Sequence, residues 1–146
     1  TELFMEAMRP RIDLDAQVER LAEGDPELVG ERVMTFFVDV WDRPLVGARI
    51  LQIMKAALSH PEVAQVVRKV IVEGVVEKVA ARVGAAEPRL AAGMTVSQVF
   101  GVAMLRHAAK IEPLASMPAE ELVARYAPVV TRLLRQGAVD SSAVDT

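Results

Sequence analysis

Sixteen consecutive residues, Leu90 to Leu105, carry no charge: LAAGMTVSQVFGVAML. As a helix this run spans roughly 24 Å, short of the ~20 apolar residues that cross a bilayer. Thr95, Ser97 and Gln98 within it also speak against lipid. In water a segment this apolar must be covered on nearly every side, and a single domain core covers one side only. Projected at about 100° per residue, the run separates into two faces. Leu90, Gly93, Ser97, Gly101 and Met104, followed by Ala108, share one face, with three small residues spaced by four. Small residues so placed let a neighbouring helix approach toward the lower end of the usual separation of about 8–10 Å. Close packing of that kind offsets the cost of about 1 kcal/mol that each internal glycine brings. The other face carries Thr95, Gln98, Val99 and Val102, an apolar surface with two hydrogen-bonding groups. That mixture suits the wall of a small-molecule cavity as well as an ordinary core.

The remaining chain fits one all-α domain. Its 146 residues are enough for one core and few for two. Asp25-Pro26 supplies an N-cap and a first-turn proline for a helix running to about Trp41, with Val29, Val33, Phe36, Phe37 and Val40 at spacings of three and four. Arg43-Pro44 breaks the chain before a helix carrying Leu45, Ile50, Ile53, Met54, Ala57 and Leu58. Ser59-His60-Pro61-Glu62 is a stop and a start, because the residue before proline is driven out of the α region. Gly84 to Pro88 and Glu112-Pro113 mark further hinges, and Ser116-Met117-Pro118 opens a last helix that ends at Gln136-Gly137. Residues 137–146 read as a flexible tail. From Val63 to Val83 nine valines and an isoleucine favour strand by propensity. Periodicity overrules them: Lys69, Glu73 and Glu77 recur every four residues, and no hairpin dipeptide interrupts the run. Gly74 falls on the dry face there, predicting a close helix crossing or, less commonly, room for a ligand.

Leu122, Val123, Tyr126, Val129, Val130, Leu133 and Leu134 form an apolar arc on the last helix wider than one neighbour needs, while Pro128 deletes a backbone bond and is expected to bend it near Ala124. Two adjacent helices with surplus apolar surface predict an isologous homodimer, two helices from each subunit forming a four-helix bundle. The expected interface is Leu90, Gly93, Ser97, Gly101, Met104, Leu122, Tyr126, Val129, Val130 and Leu133.

Chemistry is sparse. There is no cysteine, so neither disulfides nor thiolate metal sites are expected. His60 sits at a helix boundary, and His107 lies near a helix C-terminus beside Arg106 and Lys110, where dipole complementarity accounts for it. Asp13 and Asp15 lack the continuation of a calcium loop and read as helix caps. No His-Glu-x-x-His, glycine-rich phosphate loop or Gly-x-Ser-x-Gly elbow occurs. An enzyme, a metal and a cofactor are therefore not expected. Net charge −3 and pI near 5.4 leave no basic footprint for nucleic acid. No basic segment precedes an apolar run at the start, so no secretory signal is expected, and the chain reads as cytoplasmic, with no membrane association. Thr1 to Met8 reads as the interior of an amphipathic helix, which implies sequence upstream.

Several stretches resemble the C-terminal effector-binding and dimerisation domain of TetR-family transcriptional regulators. Thr1-Glu2-Leu3-Phe4 resembles the segment just after the helix-turn-helix, Leu58-Ser59-His60-Pro61-Glu62 a junction between middle helices, and Glu112-Pro113-Leu114-Ala115-Ser116, Ala119-Glu120-Glu121-Leu122-Val123 and Ala127-Pro128 the approach to and body of the final helix. The similarity spans residues 1–136, with 1–9 as the end of a connection from a DNA-binding domain. It implies a bundle of about six helices, with those around 88–110 and 118–136 forming the dimer bundle. It also implies a small effector among the other helices whose binding alters the spacing of two DNA-binding heads in the full-length protein. DNA is then met only through the absent helix-turn-helix. The candidate pocket is Phe37, Trp41, Met54, Leu58, Val67, Ile71, Thr95, Gln98, Val99 and Val102. Trp41 would stack on a flat ligand, its indole N–H giving direction, and Met54 would adapt to several shapes. With no charge placed in that set, a neutral or weakly polar hydrophobic effector is expected. A helical dimerisation or interaction module without a ligand is the alternative, and a small lipophile carrier a third reading.

Overall fold

The structure, a computed structural model, describes residues 13–139. The expected amphipathic segment Thr1–Met8 and the polar tail from Asp140 to Thr146 lie outside the described residues. Within them every regular element is helical. Helix α1 is Leu14–Ala22, started by Asp13, whose carboxylate accepts the Ala16 amide at 3.1 Å. A 3₁₀ turn, Pro26–Leu28, capped by the Asp25 carboxylate on Glu27 N, leads into α2, Val29–Trp41. The cap read from Asp25-Pro26 therefore opens the 3₁₀ turn, and α2 follows from it. Helix α3 is Pro44–Ala57. Helix α4, Pro61–Val67, runs without a break through a π-helical segment, Arg68–Val76, into α5, Glu77–Arg82. Helix α6, Pro88–Ala103, passes into a second π segment, Met104–Ala108, and α7 is Ala119–Leu134. Gly84 and Gly137 take positive φ of 92° and 76° where helices end, the left-handed conformation that glycine adopts most readily.

The valine-rich stretch is helix, as its charge period predicts, but it is wound wider than an α-helix. The Glu77 amide bonds the Val72 carbonyl five residues back. A Cβ at Gly74 would lie 2.9 Å from the Lys69 carbonyl oxygen and 3.5 Å from a Leu14 methyl. The close approach at Gly74 is therefore to the wide turn's own carbonyl, while Leu14 of α1 stands at ordinary contact distance, so the helix crossing expected there is not a close one.

One hydrophobic core takes residues from every helix except α4, whose buried Val66 lies outside it. Met34, Val29 and Val33 from α2, Val79 and Ala80 from α5, Val99 from α6, and Leu122, Val130 and Leu134 from α7 are wholly or almost wholly buried. Each larger side chain of this kind contributes about 1.5–3 kcal/mol relative to exposure. The tightest seam lies between α2 and α7. A Cβ at Gly30 would collide with the Ala127 carbonyl oxygen and with Thr131, and the Gly30 amide donates to Thr131 Oγ1 at 2.9 Å. This close crossing occupies one side of α7. Leu122 and Val130, expected at a subunit interface, are fully buried in the chain's own core; an amphipathic arc does not say which neighbour covers it. α7 remains one α-helix through Pro128.

Candidate functional site

The C-terminal ends of α2 and α6 meet, and a partly buried cluster of polar side chains joins them there. Asp42 directly follows α2. Its carboxylate accepts Arg106 Nε at 3.1 Å on Oδ1 and Arg106 Nη2 at 3.0 Å on Oδ2. Oδ1 also lies 2.9 Å from His107 Nε2. Arg106 and His107 are neighbours in sequence, yet both reach Asp42, because the π segment at Met104–Ala108 narrows the angle between successive side chains. Arg106 Nη1 donates further to the carbonyls of Leu114 and Met117 at 2.8 and 2.6 Å. One side chain, only 10% exposed, therefore ties the end of α2 and the end of α6 to the segment that leads into α7.

Beside this cluster is a small, half-open space of about 10 Å³, lined by Trp41, Gly47, Ile50, Leu51, Met54, Ala103 and His107. Its volume matches about one water probe. Trp41 belongs to an aromatic row: its ring centroid is 5.4 Å from Phe37 and 6.1 Å from Phe100, and Phe37 meets Phe36 at 5.3 Å. The wall facing Trp41 is α3, whose anchorage is slight. Met54 is its one buried residue, while Leu45 and Leu58 are 83% and 82% exposed. At its first turn the contact is close, since a Cβ at Gly47 would collide with the Trp41 carbonyl oxygen. Helix α3 is held at its start and loosely beyond it.

Of the ten pocket residues expected from sequence, Trp41 and Met54 line this space and Phe37 stacks against Trp41. Thr95, Val99 and Val102 are buried on the inner face of α6, and Thr95 Oγ1 has no hydrogen-bond partner among the described residues. Gln98, Val67 and Ile71 are half-buried, and nothing in the described geometry brings them to the Trp41 cavity. Leu58 points into solvent at the far end of α3. Sequence reasoning missed Asp42, Arg106, His107 and Phe100. His107 has a carboxylate partner 65 positions away in the chain, which local dipole reasoning does not see.

The outer face of α6 is open. Leu90 is 49% exposed, Gly93, Met94, Ser97, Gly101 and Leu105 are also exposed, and Met104 is half-buried. A Cβ added at Gly93 or Gly101 would meet nothing within 4 Å. On α7 Val129 is 40% exposed, and Tyr126 and Leu133 are half-buried. Among the described residues no helix is long and apolar enough to cross a membrane.

The described residues thus form a helical bundle with an uncharged outer face on α6 and an apolar interior that includes an aromatic row. The family model of tetracyclin repressor-like C-terminal domains matches residues 27–134, and the chain belongs to that family. The curated proteins and the solved structures offer no match. Domains of this family are the ligand-binding and dimerisation parts of transcription regulators rather than enzymes.

Proposed function

We propose that this domain senses a small, lipophilic or aromatic, neutral or weakly polar effector, and that it does so as a homodimer joined through α6 and α7. In a full-length regulator of the cytoplasm, DNA binding would belong to a separate helix-turn-helix unit, and the effector would shift the spacing of two such heads. The shift is a population change, which requires a ligand that prefers one spacing. The observation that carries the reading is the division of α6: its outer face is uncharged and open at Gly93 and Gly101, while its inner face is buried and ends at the Trp41 cavity. The interface in this reading is Leu90, Gly93, Ser97, Gly101, Met104, Tyr126, Val129 and Leu133.

At about 10 Å³ the cavity must open to admit a ligand. Swinging α3 away about its tight contact at Gly47 enlarges the cavity without disturbing the α2–α7 seam. Arg106 then links the cavity to the dimer helices, because it holds both Asp42 and the carbonyls ahead of α7.

Native mass spectrometry of the chain tests both parts, since it reports subunit number and any co-purified ligand together. A dimer carrying a hydrophobic small molecule is expected. Because a Cβ at position 101 meets nothing within 4 Å among the described residues, Gly101→Leu is expected to leave the fold intact and to weaken association by at least tenfold. A wild-type monomer at micromolar concentration, or unchanged association in Gly101→Leu, overturns the interface. A dimer that takes up no small molecule from any hydrophobic panel supports the interaction-module alternative, which the small cavity favours.

A further inference from the structure

We infer that the α3–α4 layer is a docking face for a lipid surface with anionic headgroups, held by its cations and by the leucines at the two ends of α3. The contact stands apart from the sensing role proposed above.

Charge in this chain is segregated. Residues 43–70 carry five cations, Arg43, Arg49, Lys55, Arg68 and Lys69, and a single acid, Glu62. With histidine neutral the stretch has a net charge of +4 in a chain of −3, so the remaining residues carry −7. All five cations are exposed. Arg43 is paired with Asp39 at 2.8 Å and Arg68 with Glu73 at 3.8 Å. Arg49, Lys55 and Lys69 form no ion pair among the described residues. The same layer holds the two most exposed large hydrophobic side chains among the described residues, Leu45 in the first turn of α3 and Leu58 just past its last. One exposed leucine is ordinary. Two on the layer that also concentrates the positive charge call for a partner with both chemistries.

That combination selects the partner. A nucleic acid would engage the cations through its phosphates, but its backbone gives Leu45 and Leu58 nothing apolar to meet. An acidic protein surface would need an apolar pocket at each end of α3, with the leucines about 20 Å apart along the helix. A lipid surface offers negative headgroups over its whole area with acyl chains beneath them, so it takes leucines at either end and cations between them. The layer is also lightly held, since Met54 is the one buried residue of α3 and Val66 of α4 lies outside the core. Contact of this kind needs neither a signal segment nor a spanning helix. Where the sensing role holds, it brings α3, the yielding wall beside Trp41, to the phase in which a lipophilic effector dissolves.

Co-sedimentation of the chain with vesicles tests the assignment. At low salt the chain is expected to bind vesicles of two parts phosphatidylcholine to one part phosphatidylglycerol at least tenfold more tightly than vesicles of phosphatidylcholine alone. Half-molar salt should abolish that preference. Arg49→Gln with Lys55→Gln is expected to weaken binding at least tenfold, and Leu45→Ser with Leu58→Ser about tenfold. Arg20→Gln with Arg132→Gln removes the same charge from exposed positions elsewhere and is expected to weaken it less than threefold. All six positions are exposed, so melting temperatures should match the wild type. No preference for the anionic vesicles at low salt overturns the inference without any variant having to fold. Equal loss in the two charge variants overturns it too, because net charge would then be the cause. Unchanged binding in the leucine variant also overturns it, because the face would then accept any polyanion, nucleic acid included. Each of these results leaves the sensing role standing.

Discussion

Helix α2 is flanked by two helices held in opposite ways. Toward α7 it presents Gly30, packed against the Ala127 carbonyl and hydrogen-bonded to Thr131, with Met34, Val33, Leu122 and Val130 buried in the core. Toward α3 it presents Trp41 and the aromatic row, yet α3 returns one buried side chain, Met54, and leaves Leu45 and Leu58 in solvent. Backbone touching backbone leaves no small displacement available, so the α2–α7 seam either holds or breaks. The α2–α3 contact is a hinge at Gly47 followed by a sparsely packed blade. The proposed sensing role needs both kinds of contact, a fixed one beside the helices proposed for the interface and a yielding one beside the cavity.

The tight seam is where the largest effect is expected. Gly30→Val places a branched side chain where even a Cβ has no room, and the obstacle is backbone rather than a flexible tip. Overpacking of this kind costs about 3 kcal/mol or more, a loss of roughly 10 °C in melting temperature for a chain of this size. Calorimetric melting of the variant checks it. A loss under about 2 °C would mean that α2 and α7 slide freely, and the contrast with α3 would vanish.

The loose blade gives the second test. Few buried apolar contacts imply cheap local opening. Amides of α3 from Ile50 to Ala57 are expected to exchange with deuterium about a hundredfold faster than those of α2 from Val33 to Val38. Exchange mass spectrometry resolves the two helices. Equal protection would show that α3 opens only when the whole domain unfolds, and the cavity would need another way to enlarge.

Much of the fold was legible in the sequence, while the contrast between the two contacts of α2 was not, for definite reasons. Helix limits follow from Asp13, Asp25-Pro26, Pro44, Pro61, Pro88, Gly84 and Gly137, because proline and glycine act on the backbone locally. The two faces of α6 follow from the spacing of its small residues against Thr95, Val99 and Val102, since burial and exposure track the helical projection closely. The special role of Gly30 was hidden: a glycine in a helix shows that something small is wanted, not what approaches it. The same ambiguity sent Leu122 and Val130 to a subunit interface when they fill the core. The π segments escaped notice because a few residues of wider winding leave the hydrophobic period almost unchanged. The Asp42–Arg106–His107 cluster escaped because its partners lie 64 and 65 positions apart, and only folding joins them.

The third contact, α1 against α5, adds surface ion pairs to the buried Val18 and Leu21, so it indicates how much exposed charge contributes beside packing. Arg82 Nη1 donates to Glu19 at 2.5 Å, and Lys78 lies 3.7 Å from Asp15, all on exposed side chains along an open groove. The hydrogen bond from Arg82, reinforced by its charge, holds the Glu19 carboxyl below its ordinary value of 4.5. A carboxyl with a depressed folded value stabilises the fold fully above the unfolded value and loses that contribution as pH falls through the folded one. Glu19→Gln is therefore expected to lower the melting temperature slightly at pH 7, by about 1 °C, because exposed pairs are screened by water and salt. The difference from wild type should shrink as the pH drops below 4.5 and close once Glu19 is protonated in both states. Molar salt at pH 7 should shrink it too. Melting curves of the two chains at several pH values decide the point. A loss of several degrees, or one that persists in acid and in salt, would place α1 with the tight seam, fixed by packing at Glu19 rather than by its charge.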